Sequence, residues 1–261
     1  MANFGDLLGS FLQINLGQSG QARMGNALED LQANLGQMLG GQGGAGGLLD
    51  GILGMAKGQL GNAAESPLQA GGLGAVLGSM LGGGGDSIKG AMTGGALAML
   101  AGVAFKALTN AGQGQGGAGV QAPFSAGQLP LGLKPPETAA EEEVVQDKAR
   151  LILNGMINMA KADGEISVDE VQRIAGKAQS SGMGQQDQAW LMAQFREPLD
   201  LDAFVAEIPN QEVAAEVYAA SLLAVEVDTD AERDYLRQFA QKTGLHPMVV
   251  QHIHASMGVA V

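Results

Sequence analysis

The chain has 261 residues, no cysteine, and 27 acidic against 14 basic residues, a formal net charge of −13. The lack of cysteine excludes disulfides, thiolate metal sites and cysteine nucleophiles. The acidic balance, with no cluster of Lys or Arg, excludes a general phosphate-binding surface, so nucleic acid is not an expected partner.

Charge and glycine are unevenly distributed. Residues 1–136 hold 35 of the 42 glycines and carry 6 acidic and 5 basic residues. Residues 137–261 hold 21 acidic and 9 basic residues, a net of −12. This shift, marked by the stretch PFSAGQLPLGLKPPE, predicts two segments: a Gly/Ala/Leu-rich region over 1–136 and an acidic, all-helical domain over 137–261.

The opening stretch MANFGDLLGSFLQINLGQ lacks the basic start and long apolar core of a secretory signal. Its apolar residues Phe4, Leu7, Leu8, Phe11, Leu12, Ile14 and Leu16 fit a short packing helix. From Gly40 to Gly119 the composition is mostly Gly, Ala, Leu and Met, and each glycine costs a helix about 1 kcal/mol relative to alanine. Weak order is therefore expected. Three apolar pieces rise out of this stretch: LLDGILGMAKGQL, LGAVLGSML and GAMTGGALAMLAGVAF.

The third piece has no charge between Lys89 and Lys106. Gly90, Gly94, Ala98 and Gly102 recur at every fourth position, a small-residue face that lets a second helix approach closely. Gly71, Ala75, Ser79 and Gly83 repeat that spacing upstream. A bilayer span needs about 20 apolar residues, and 88–108 reaches that only if a flanking lysine snorkels. Residues 88–108 are thus the candidate membrane segment, with self-association through the small-residue face as the alternative.

The acidic half predicts about seven helices and no strand. Thr138 with Glu141 forms a capping box before a helix over about 139–162, whose apolar positions are Val144, Val145, Ala149, Ile152, Met156, Ile157, Met159 and Ala160. That helix stops at the Asp163–Gly164 turn. Ser167 with Glu170 opens a second. MGQQDQAWLMAQFREP gives a third with Trp190, Leu191 and Phe195 inward, and LDLDAFVAEIP a short fourth capped by Asp200 or Asp202. NQEVAAEVYAASLLAVEV is the fifth, with Val213, Val217, Ala220, Ser221 and Ala224 inward. Thr229 with Glu232 caps the sixth, which Gly244 ends, and HPMVVQHIHASMG is the seventh, with Pro247 in its first turn.

Two acidic turns, ADGEISVDE and EVDTDAE, each follow a long helix and precede a capped one. The first is not an EF-hand loop. With Gly164 at the loop glycine, Met159 and Lys161 fall where the first and third oxygen ligands belong. Glu170 and Glu232 each also have a structural task as the third residue of a capping box. One turn supplies too few carboxylates for a hard divalent ion, whereas two facing turns supply enough. His252 and His254 sit about 200° apart on a helix, which argues against a zinc site. No Ser-His-Asp arrangement or phosphate loop is present.

INMAKADGEISVDEVQRI and AASLLAVEVDTDAERDYLRQFAQKTGLHP resemble the tellurite-resistance TerB-like domain. More widely, the chain resembles bacterial TerB-like proteins of unknown function that carry a Gly-rich N-terminal region assigned to the inner membrane. The resemblance implies an all-α fold, no catalytic activity, and stress-response or membrane-linked assemblies as partners. It also implies a divalent cation (Ca, Mg or Mn) held by Asp163 and Glu170 in the first motif and Asp228 and Glu232 in the second, with Glu165 and Asp230 as additions. The two motifs differ in spacing, seven residues against four.

The expected function is a non-enzymatic, membrane-associated scaffold or stress-response sensor with a cation-binding helical domain. Its expected location is the inner membrane with the acidic domain in the cytoplasm, or the cytoplasm alone. A soluble helical docking module without metal is the alternative. A metal-dependent hydrolase ranks last, because no general base or open coordination set is visible.

Overall fold

The helices begin where polar side chains replace missing backbone partners. The computed structural model describes residues 4–15, 18–40, 88–113, 131, 136, 138–164, 184–225 and 227–259. Among them are nine α-helices: α1 (Phe4–Asn15), α2 (Gln18–Gly40), α3 (Ile88–Gln113), α4 (Ala139–Ala160), α5 (Gln185–Arg196), α6 (Leu201–Ala206), α7 (Gln211–Ala224), α8 (Asp230–Thr243) and α9 (Pro247–Met257). No strand occurs among the described residues.

Side-chain oxygens of Thr138, Asp200, Asn210 and Thr229 accept the free N–H groups at the starts of α4, α6, α7 and α8. At α8 the reciprocal box is complete. His246 caps α9 through Nδ1, which accepts from the Met248 N–H at 3.2 Å. Gly244 and Gly258 end α8 and α9 with φ of +70° and +66°, a left-handed conformation that suits glycine. The expected helix opened by Ser167 lies outside the described residues, as do the apolar pieces over 48–60 and 73–81.

The centre of the molecule is α7. Every residue from Val213 to Ala224 is buried. A helix buried on all sides needs neighbours all round it. Here α4, α3, α8, α2, α9 and α1 all pack against it. The five residues expected to face inward are indeed buried, but α7 has no outward face.

Residues 4–40 and 88–113 therefore do not stand apart from the acidic half. Leu97, Leu100, Val103, Ala104, Ala107 and Leu108 of α3 share one continuous core with Ile152, Met156, Val217, Leu222, Ile253 and Met257. The expected change of domain near residue 136 does not separate two cores. The packing-helix reading of the N-terminus holds: Leu7, Leu8, Phe11 and Leu12 of α1 are buried.

The structure does not support the expected membrane span over 88–108. No described helix is long and apolar enough to cross a membrane. α3 is apolar because α7, α9 and α1 cover it. Gly102 of the small-residue face is buried and Ala98 half-buried. Gly90 and Gly94 fall in the first turns of α3, where surroundings lie outside the described residues. Small residues let protein helices approach closely just as they do membrane helices. At the rim, Lys106 pairs with Asp30 of α2 at 2.5 Å.

α4 follows its expected stripe with one departure. Ala149, Ile152, Met156, Ile157 and Met159 are buried, but Val144, in the second turn of α4, is exposed, while Val145 beside it packs against the core.

Candidate functional site

The contact between α4 and α7 sets the geometry of both acidic turns. Lys148 of α4 reaches Glu212 and Glu216 of α7. Seven residues on, Gly155 lies against Val217, and its carbonyl accepts from Ser221 Oγ at 3.4 Å. Position rises along both helices together, so α4 and α7 run in the same direction. The Asp163 turn and the Asp228 turn consequently leave the same end of the pair.

The side chains at that end are only partly brought together. Asp163 is exposed in the turn closed by Gly164, whose φ is +84°. Asp228 is exposed, and its carbonyl accepts from Arg233 Nη2 at 3.1 Å. Asp230 pairs with Arg233 at 3.0 Å. Glu232 is buried, and its Oε2 accepts from Asp228 N, Thr229 N and Thr229 Oγ1 at 3.1, 3.0 and 2.8 Å. That oxygen is committed to the helix cap. Glu165 and Glu170 lie outside the described residues. Among the described residues no three His, Asp or Glu side chains gather into a group able to hold a metal. Asp163, Asp228, Asp230 and Glu232 alone therefore fall short of the oxygen set that a hard divalent ion takes.

The opposite half of the pair holds a charge cluster that the sequence reading missed. Lys148 Nζ donates to Glu212 Oε1 at 2.6 Å, Glu216 Oε1 at 2.9 Å and the Leu131 carbonyl at 2.7 Å. Lys148 is 5% exposed and Glu216 0%. One ammonium thus ties α4, α7 and the α3–α4 connection together. It balances one carboxylate, not two. Burial pushes the Glu216 carboxyl up to about 8, against the pull of Lys148. Its Oε2 has no hydrogen-bond partner among the described residues. The arrangement fits a Glu216 that keeps its proton near neutral pH. A signal was present in the sequence: Lys148 lies four residues before Ile152, and Glu216 four before Ala220, both on apolar stripes.

Two further polar groups secure α7. Tyr218 Oη and His254 Nε2 are 2.9 Å apart. Burial, with the nearby charge of Arg23, holds the His254 imidazole below its usual range, so it is neutral at physiological pH. Arg23 of α2 donates to the carbonyls of Leu222 and of Val225, the latter at 2.7 Å. A cation there complements the negative end of α7. At the surface, a hollow of about 280 Å³ between α2 and the end of α9 is lined by Asn26, Glu29, Asp30, Ala255, Ser256 and Gly258.

The sequence model of the family described as protein of unknown function (DUF533) matches residues 63–257, about three quarters of the chain. The chain belongs to the DUF533 family. The DUF533 unit takes in α3 through α9 and crosses residue 136, in keeping with one core; α1 and α2 precede it. A Yersinia enterocolitica protein described as an uncharacterized protein in the ampR 5′ region is 25% identical over 101 residues, which cover 39% of this chain and 73% of that protein. No solved structure matches.

Proposed function

We propose that this DUF533 protein is a non-enzymatic helical scaffold that holds a basic protein partner at the acidic end of the α4–α7 pair. The observation that carries the reading is the common direction of these two helices, which brings the Asp163 and Asp228 turns out together. The −12 charge of residues 137–261 favours a basic partner, through attraction that salt screens. The scaffold reading is also supported by where the buried polar groups go. Lys148, Glu216, Tyr218, His254 and Arg23 all join one helix to another.

A protein partner is favoured over a bilayer because α3, the helix expected to enter one, is taken up by the core. The test is chemical crosslinking of the full chain to its cellular partners at low and high salt, beside a chain carrying Asp163→Asn, Asp228→Asn and Asp230→Asn. A partner lost in the variant and at high salt supports the reading. A partner retained by the variant places binding elsewhere. Turnover of a phosphoester panel that Asp163→Ala abolishes would replace the scaffold with an enzyme.

A second reading has the same geometric support. The likeness of both acidic motifs to the TerB-like family suggests that a divalent cation joins the two turns, with Glu165 and Glu170 completing the ligand set and cation occupancy acting as the stress signal. Thermal unfolding of the full chain with Ca²⁺, Mg²⁺ or Mn²⁺ tests this. At a hundredfold excess over the dissociation constant, linkage stabilises by about 2.7 kcal/mol. Asp163→Ala with Asp228→Ala removes that gain if the turns hold the ion.

A further inference from the structure

Two helices end against α2, and they meet different groups there. At the end of α7, Arg23 donates to the carbonyls of Leu222 and Val225. One turn further along α2, the end of α9 meets Asn26, whose Nδ2 donates to the Met257 carbonyl at 3.3 Å. The last turn of each helix carries partial negative charge. Arg23 complements it at α7. The basic residue in the last turn of α9 is His254, which is buried and neutral and so adds no positive charge.

The hollow of about 280 Å³ lies at this end of α9. Asn26, Glu29 and Asp30 fall at i, i+3 and i+4 on α2 and line it from one face. Asp30 is engaged by Lys106, whereas Glu29 is exposed and has no ion pair among the described residues. Ser256 of α9 lines the other side and is 6% exposed. A serine inside a helix can return its hydroxyl to the carbonyl one turn back, as Ser221 does to Val217. The Ser256 hydroxyl has no hydrogen-bond partner among the described residues. A hydroxyl so deeply placed calls for a partner, and the hollow it lines has room for one.

We propose that this hollow binds an alkylammonium group, carried by a lysine side chain of a partner or by a free polyamine. An ammonium has three N–H donors and no acceptor. The hollow offers it the Glu29 carboxylate, the Ser256 hydroxyl oxygen and Asn26 Oδ1, beside the negative end of α9. Among the described residues no basic side chain lines it, so an anion has no counter-charge there. A bare metal ion fits less well. No three His, Asp or Glu side chains gather among the described residues, and the volume is several times the space of about 30 Å³ that one water takes in the liquid. The extra room suits the methylene stem behind an ammonium, against the Ala255 wall. The site stands on α2 and α9, and the inference does not rest on the acidic-end reading.

Calorimetric titration of the full chain at low salt tests this, with two probes of equal charge, the peptide acetyl-Lys-Ala-Lys-amide and putrescine. The expected result is saturable binding, weakened about tenfold or more by Glu29→Gln and lowered also by Ser256→Ala. Tighter binding of the peptide assigns the ammonium to a partner's lysine, and tighter binding of putrescine to a free polyamine. Glu29→Lys, at an exposed position, supplies a resident ammonium and should abolish binding. Asp163→Asn with Asp228→Asn should leave binding unchanged, so that failure here and failure of the acidic-end reading are told apart.

Absence of saturable binding by both probes overturns the proposal. Binding that Ser256→Ala leaves unchanged overturns it too, because surface charge alone then holds the probe. Binding that survives Glu29→Lys, or that Asp163→Asn with Asp228→Asn removes, puts the ammonium elsewhere and overturns it. Displacement of a bound probe by an equal concentration of Mg²⁺ makes this a metal site and overturns it as well. If Ser256→Ala unfolds the chain, Glu29→Lys decides.

Discussion

The two ends of the α4–α7 pair carry similar carboxylates in opposite circumstances. Toward the starts of the helices, Glu212 and Glu216 close on a buried lysine. At the far end, Asp163, Asp228 and Asp230 face water, and Glu232 serves a helix cap. Burial, more than the number of acidic residues, decides what a carboxylate does here. The buried pair binds helices together and perturbs a proton. The exposed set faces solvent, with Asp230 paired to Arg233.

The largest effect should come from removing the buried cation. Lys148→Met leaves Glu212, Glu216 and the Leu131 carbonyl facing each other, and should destabilise by about 3–5 kcal/mol in chemical denaturation. A loss no larger than that of a cap residue would erase the contrast between the two ends.

The next effect is a pH dependence that belongs to one end. Glu216 is raised from 4.5 to about 8 on folding. The folded chain therefore holds a proton that the unfolded chain releases. Stability from this group is full below about 4.5 and is lost as pH rises toward about 8. Glu216→Gln should flatten that decline, seen as a wild-type minus variant difference in unfolding free energy between pH 5 and pH 9.

Between the two ends, a Cβ added at Gly155 would sit 2.4 Å from Val217 Cγ1. Val217 is buried and stiff at χ1, so α4 must move. Gly155→Ala should cost about 1–3 kcal/mol by calorimetry, although alanine is the better helix former.

At the acidic end the effects become smaller. Thr229→Ala removes the hydroxyl half of the α8 capping box and should lower stability by about 1 kcal/mol in urea unfolding. Asp163→Asn with Asp228→Asn should leave unfolding unchanged within error in metal-free buffer, while weakening whatever the acidic end binds.

Local signals in the sequence were legible; the three-dimensional assignment of burial was less so. Thr138, Asp200, Thr229 and Gly244 mark helix ends where expected, because a cap depends on only a few adjacent residues. The burial of α7 on all sides was not legible, because its outer cover comes from α2, far away in the chain, and from α3, in a stretch whose glycine content suggested weak order. The same distance effect hid the partner of Lys148: opposite charges on apolar stripes 68 residues apart become a pair only once the helices are aligned. The common direction of α4 and α7, and hence the shared end of the two acidic turns, likewise emerged from contacts rather than from spacing.

The central place of α7 also sets an order of events during synthesis. α1, α2, α3 and α4 leave the ribosome before the helix they surround. From the end of α3 at Gln113 to the end of α7 at Ala224, a ribosome adding about 5–20 residues each second takes on the order of ten seconds. Through that interval Leu97, Leu100 and Val103 have no α7 to cover them. The nascent chain is a natural client for chaperones, and its core cannot close until α7 has been made.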